Sequence, residues 1–183
     1  SKVQKSPAIF NQDKLDWFNK EHINKLPYQD LKENIFKYLP EVLKNLSEEK
    51  TEKIIFLIKD RISKWSDIEK MIREGELDLF WKQVEYEKEK LLYKNSNFEK
   101  TSTYLKLAIE KLRELDKENF KIEDIKNTLM SIADNLSNRG ELLHPVRIAL
   151  SGMDKSPDPF TIAFILGKEE TLNRLEKAIK KID

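Results

Sequence analysis

Cysteine is absent from all 183 residues. Its absence removes disulfides, thiolate nucleophiles and cysteine-ligated zinc, and it fits a reducing, cytoplasmic setting. Glycine is scarce, with four residues, and no Gly-rich loop able to cradle a phosphate is present. The two histidines, His22 and His144, are too far apart in sequence for a metal-binding pair. No metal set and no catalytic residue is therefore expected. No apolar run approaches the roughly eighteen residues of a membrane-crossing helix, so no membrane partner is expected either. Net charge is also lacking: 34 Lys plus Arg stand against 33 Asp plus Glu. That balance cannot steer the whole chain onto nucleic acid, and any RNA contact has to use a local patch. The opening residues, SKVQKSPAIF, carry neither an initiating Met nor the apolar core of a signal peptide, which suggests a piece of a longer protein.

What the chain has in abundance is charge and apolar side chains at helical spacing. Runs such as EYEKEK and RELDKE alternate in sign and read as solvated helix faces. Ser6-Pro7 disfavours helix, and Asn11 can cap a helix over residues 13–22 with Leu15, Phe18 and His22 on one stripe. Pro27 sits near the first turn of a second helix carrying Leu31, Ile35, Tyr38 and Leu39. Ser47 can cap the next, with Glu48 and Glu49 at the positive end of its dipole. Ile54 to Ile58 make that helix apolar nearly all round, as in a buried central helix. Ser66 with Glu69 forms a capping box for a short helix stopping at Gly75. Leu77, Phe80, Trp81, Val84, Leu91 and Leu92 predict one or two further helices over residues 76–94.

The polar cluster Asn95-Ser96-Asn97 marks an internal boundary. Beyond it come a long amphipathic helix ending near Glu118, another over residues 122–136, and a last one over residues 168–182. No strand alternation and no fixed repeat stands out. The expected fold is all-α, in two successive helical subdomains of the bundle or cage type, residues 1–97 and 98–183.

Residues 140–172 break the pattern. They hold three of the four glycines and three of the six prolines. Gly140 reads as the residue that ends the preceding helix, Pro145 as a first helical position and Gly152 as its stop; Pro159 and Gly167 bracket the next helix. Function concentrates where a regular pattern breaks. Arg147 stands between Val146 and Ile148, in an element pinned by Pro145 and Gly152. Its guanidinium suits a base edge or a phosphate, and equally a salt bridge or a bond to carbonyls; spacing alone does not choose. Ser156 and the loop to Pro159 can add polar contacts or serve as a plain turn. Trp65, Trp81, Phe80, Tyr86 and Tyr104 can stack on bases, but their spacing favours core packing. His22 reads as a half-exposed helix residue and His144 as fixing the entry into a turn.

HPVRIALSG, then SPDPF, then ILGKEETLNRLEKAI resemble the C-terminal end of bacterial-type glutamyl-tRNA synthetases. SPAIFNQDKLDWFNKEHI is similar to the segment that follows the catalytic half of that family, while the middle of the chain matches only as charged helices. The resemblance implies an all-α anticodon-binding region. The parent enzyme would join glutamate to tRNA with ATP and Mg in a catalytic part absent here. This chain itself would carry no cofactor, would be inactive alone, and would bind tRNA as a monomer. Arg147, Ser156, Pro157 and Pro159 fall on the family's anticodon-contact positions, with Pro159 where leucine is usual and Ser151 where threonine is common. Arg61 is the candidate for a further arginine from the first subdomain. A helical protein–protein scaffold without RNA binding fits the charge balance and helix content as well, but not the terminal motifs.

Overall fold

The structure, a computed structural model, describes residues 11–183, so the reading of Ser6-Pro7 lies outside the described residues. Those residues form ten α-helices joined by turns and three short 3-10 segments, with no strand among them. None of the helices is long and apolar enough to cross a membrane. By contact the chain divides into two compact units, residues 1–74 and 75–183.

The first unit holds α1 (Gln12–Lys25), α2 (Tyr28–Phe36), α3 (Glu41–Lys44), α4 (Glu48–Arg61) and α5 (Ser66–Arg73). Two of its starts are capped as the residue types dictate. The Asn11 side chain accepts the Lys14 N–H at 3.1 Å, and Ser47 Oγ accepts that of Lys50 at 3.4 Å. α1 buries only Ile23; Leu15 and Phe18, expected on an inward stripe, are exposed together with Trp17. α4 supplies Ile54, Ile55, Leu57 and Ile58 to the core, alongside Leu31, Ile35, Leu43 and Ile68. Phe56 is 65% exposed. Five consecutive helical residues at about 100° each sweep past a full turn, so one of them has to face water. Lysines tie α4 to α1: Lys20 Nζ donates to the Asp60 carbonyl at 2.8 Å and Lys59 Nζ to that of Asn24 at 3.1 Å. Ser66 opens α5 as its first residue rather than capping it. The Asp67 carboxylate fixes the approach instead, accepting the Ser63 and Lys64 N–H groups at 2.8 and 3.0 Å.

The second unit holds α6 (Phe98–Glu114), α7 (Ile122–Ala133), α8 (Gly140–Ser151), α9 (Pro159–Leu166) and α10 (Lys168–Ile182). α8 packs against all four others, and Leu142, Val146, Ile148, Ala149 and Leu150 from it are buried. Asn97 caps α6 by accepting the Lys100 N–H at 2.9 Å. The polar cluster at residues 95–97 is thus a helix start within the second unit, and contact divides the chain instead between Glu74 and Gly75.

Residues 76–94 form no α-helix. Leu77, Leu79 and Phe80 enter the core around a 3-10 turn at Asp78–Phe80, and a second turn spans Lys88–Leu91. Between the turns, half-buried Val84 and Tyr86 alternate with exposed Gln83, Glu85 and Glu87. That period of two belongs to an extended segment, not to a helix.

Two residues of α8 act differently from expectation. Pro145 lies inside the helix, not at its first position. There it removes one backbone donor, and the Glu141 carbonyl loses its usual partner. Gly140 is the first residue of α8 and is not left-handed. Its role is a close approach: a Cβ at Gly140 would stand 2.4 Å from Cζ of Tyr93. Gly140→Ala should therefore displace the Tyr93 ring and lower stability by about 1–3 kcal/mol in urea unfolding. In a Tyr93→Ala background, where the ring is gone, the same substitution should cost far less.

Candidate functional site

The site is the loop of residues 152–158 between α8 and α9. Gly152 ends α8 with φ +68, and its N–H donates to the Ile148 carbonyl at 2.7 Å. The left-handed turn needs glycine there. Space is tight as well, since a Cβ would sit 3.2 Å from the Glu85 carbonyl oxygen. Just before it, buried Ser151 bridges helix and loop: its hydroxyl donates to the Arg147 carbonyl at 2.7 Å and accepts the Met153 N–H at 3.1 Å.

Arg147 lies one turn further back on α8 and is half-buried. Its Nη1 donates to the carbonyls of Met153 at 2.8 Å and Asp154 at 3.0 Å, and to Ser156 Oγ at 3.2 Å. The Ser156 hydroxyl in turn donates to the Pro157 carbonyl at 3.0 Å. Of the two uses open to this arginine, the structure shows the internal one for a single nitrogen. Nε and Nη2 have no hydrogen-bond partner among the described residues. The loop closes on Asp158, whose carboxylate accepts the N–H groups of Phe160 at 3.0 Å and Thr161 at 2.9 Å, and the Thr161 hydroxyl at 2.7 Å. Asp158 ahead of Pro159 is an N-cap followed by a first-turn proline, a helix-start signal present in the sequence.

Pro157 and Pro159 are buried, so their rings set the loop's shape from inside. Asp154, Lys155 and Asp158 form its exposed rim, with Met153 and Ser156 half-exposed. Arg61 ends α4 in the other unit, is exposed, and has interactions of its own. The structure thus gathers Arg147 of α8, Ser156 and Pro157 of the loop and Pro159 at the start of α9 around one turn, while Arg61 belongs to a separate unit.

Lys90 and His144 join the site without having been expected there. Lys90 Nζ pairs with the Asp154 carboxylate at 2.9 Å, and the Lys90 carbonyl meets His144 Nε2 at 2.9 Å. The hydrogen bond and charge of Lys90 hold the Asp154 carboxyl below its ordinary value. A carbonyl only accepts, so the His144 proton sits on Nε2 in this arrangement. The Tyr93 ring lies 5.7 Å from the imidazole. Burial lowers the His144 value, against an opposing contribution from the Lys90 carbonyl; the nearby Arg147 charge lowers it further. The site can hold a backbone loop rigid and offer a guanidinium edge, a hydroxyl and a rim lysine to an acceptor-bearing ligand. Among the described residues, no cluster suited to a metal ion occurs.

Residues 27–179 match a family model described as an anticodon binding domain. A glutamate–tRNA ligase of Clostridium kluyveri is 37% identical over 185 residues, a match covering 98% of this chain and 36% of the relative. One of Clostridium botulinum is 34% identical over 184 residues, with the same coverage. Among solved structures, a glutamate tRNA ligase from Elizabethkingia meningosepticum is similar with a TM-score of 0.67 and 29% identity, over 100% of this chain and 35% of that one. A glutamate-tRNA synthetase from Elizabethkingia anophelis gives 0.65 and 30%, over 98% and 34%. The chain spans about a third of the length of the relatives it matches.

The lowered His144 value carries a sign for stability. Between the ordinary 6.5 and the lower folded value, the unfolded chain binds more protons than the folded one. Stability from neutral His144 should be complete above about 6.5 and be lost as pH falls through the folded value. Imidazole titration by NMR should place the His144 midpoint below that of a model peptide, and His144→Asn should remove this part of the pH dependence of unfolding.

Proposed function

The chain belongs to the family of anticodon-binding domains, and from that premise we propose that it is the tRNA-reading part of a glutamate–tRNA ligase. In this reading the longer protein attaches glutamate to tRNA with ATP and Mg in a part outside this chain. This chain contributes recognition only and works as a monomer in the cytoplasm.

The observation that carries the reading is the loop held by Arg147. Anticodon bases are presented unstacked, with their edges exposed to side chains. A reader of such bases gains from rigidity, because little freedom is then lost on binding. Nη1 of Arg147 already spans Met153, Asp154 and Ser156, which leaves Nε and Nη2 to donate to a base edge. Ser156 supplies a hydroxyl beside it. Pro157 and Pro159 act by holding the loop's shape, since both are buried. Lys155 at the rim neutralises a backbone phosphate. Arg61 contributes a second guanidinium from the first unit.

Arg147→Ala should weaken binding of an anticodon stem-loop RNA by about 1–3 kcal/mol and reduce discrimination between anticodons. Binding by the wild-type chain should be weak and should fall steeply with salt, as expected for an RNA held partly through its phosphates. Fluorescence titrations of a labelled hairpin at two salt concentrations test both points. Tight, salt-indifferent binding, or equal affinity for the Arg147→Ala variant, would overturn the reading. Equal affinity for an unrelated hairpin would do so too.

A further inference from the structure

The C-terminal turn of a helix leaves carbonyls without partners. In α8 one of these belongs to Leu150, two residues before Gly152. Its partner comes from α10: Nη1 of Arg174 donates to the Leu150 carbonyl at 2.5 Å, and Nε to the Glu170 carboxylate at 2.7 Å. Arg174 is 7% exposed. A buried guanidinium is costly to desolvate, and its pairing with half-exposed Glu170 offsets that cost more than it adds net stability. What such a pair does well is hold one geometry among several.

A second cation of α10 acts on the same place. Lys181 donates to the Tyr86 carbonyl, and its Nζ stands 4.6 Å from the Tyr86 ring centroid. Tyr86 and Glu85 back directly onto Gly152, where a Cβ would meet the Glu85 oxygen at 3.2 Å and Tyr86 Cδ1 at 3.5 Å. Burial pushes the Tyr86 phenol up to about 12, with the Arg174 charge pulling the other way, so the ring stays neutral under the loop. One helix therefore clamps both the end of α8 and the segment behind it.

We infer that Arg174 is a positioning residue for the recognition loop. By binding the Leu150 carbonyl it fixes where α8 stops, and so fixes the direction in which Arg147 and residues 153–156 are presented. It touches no ligand itself. The inference rests on the proposed reading of that loop for its purpose, but not for its geometry, and the experiment separates the two.

Amide hydrogen exchange of the 183-residue chain is compared with that of Arg174→Met and Arg174→Lys. Arg174→Met removes a charged hydrogen bond to the helix end. It should speed exchange of the Gly152 and Met153 amides by about tenfold or more, while the amides of Leu105 and Leu129 keep their rates. Arg174→Lys keeps a cation at the carbonyl and should restore most of the protection. Unchanged Gly152 and Met153 amides overturn the inference. So does uniform acceleration across the second unit, which marks a merely structural role. If Arg174→Met does not fold, Arg174→Lys against wild type carries the same comparison, with a smaller selective acceleration expected.

The RNA arm uses the anticodon hairpin. The affinity lost through Arg174→Met should largely disappear when Arg147 is already Ala, because the first residue acts through the second. Additive losses overturn the inference. If the wild-type chain binds no hairpin, the tRNA reading fails, and the exchange arm alone decides the role of Arg174.

Discussion

The C-terminal end of a helix concentrates negative partial charge and unpaired carbonyls, and the exit from α8 into the loop of residues 152–158 is built around that fact. Two guanidiniums serve the helix end and the loop beyond it. Arg147 reaches forward from within α8 to the carbonyls of Met153 and Asp154, and Arg174 reaches across from α10 to that of Leu150. Each of these three oxygens receives a charged donor, which is the stronger kind of hydrogen bond, and that of Leu150 is bonded out of reach of solvent. Ser151 and Gly152 then turn the chain between these two anchors.

The irregular stretch before α6 is shaped by the whole length of α8. Residues 76–94 run alongside α8 and approach it closely at two places. Tyr93 leans on Gly140 at the start of the helix, and the Glu85 carbonyl presses on Gly152 at its end. Between them the Lys90 carbonyl binds His144 in the middle of α8. The segment is a strap over the hub helix; at Gly140 it lies too close for a side chain, and at Gly152 it leaves little room for one.

Much of this was legible in the sequence where a local rule was enough. Asn11 and Ser47 cap helices because a short polar side chain reaches an N–H two or three residues on; Gly152 and Gly167 end helices because they take positive φ. The loop carrying Ser156, with Arg147 on the helix before it, was legible as a break in the pattern and as a family motif. The strap was not, since Leu77, Phe80 and Val84 sit at spacings that suit a helix as well as buried turns. Its one signal was the alternation at residues 83–87. Gly140 sits where a helix-ending glycine belongs, and only its distant neighbour Tyr93 reveals a different reason for it. Lys90 and Asp154 are far apart in sequence and both look like ordinary surface charges, so nothing local could pair them. The burial of Pro157 and Pro159 depends on how α9 packs, and spacing does not carry that.

One property of the Arg147 bonds reaches beyond the present molecule. Two of the three oxygens they use belong to the main chain, at Met153 and Asp154. A main-chain oxygen is present whatever side chain it carries. The shape of the loop is therefore largely uncoupled from the identity of its outward residues. Residues 153–155 can drift through mutation while the frame beneath them stays put, so a lineage can change the loop's outward chemistry without having to rediscover how to fold it.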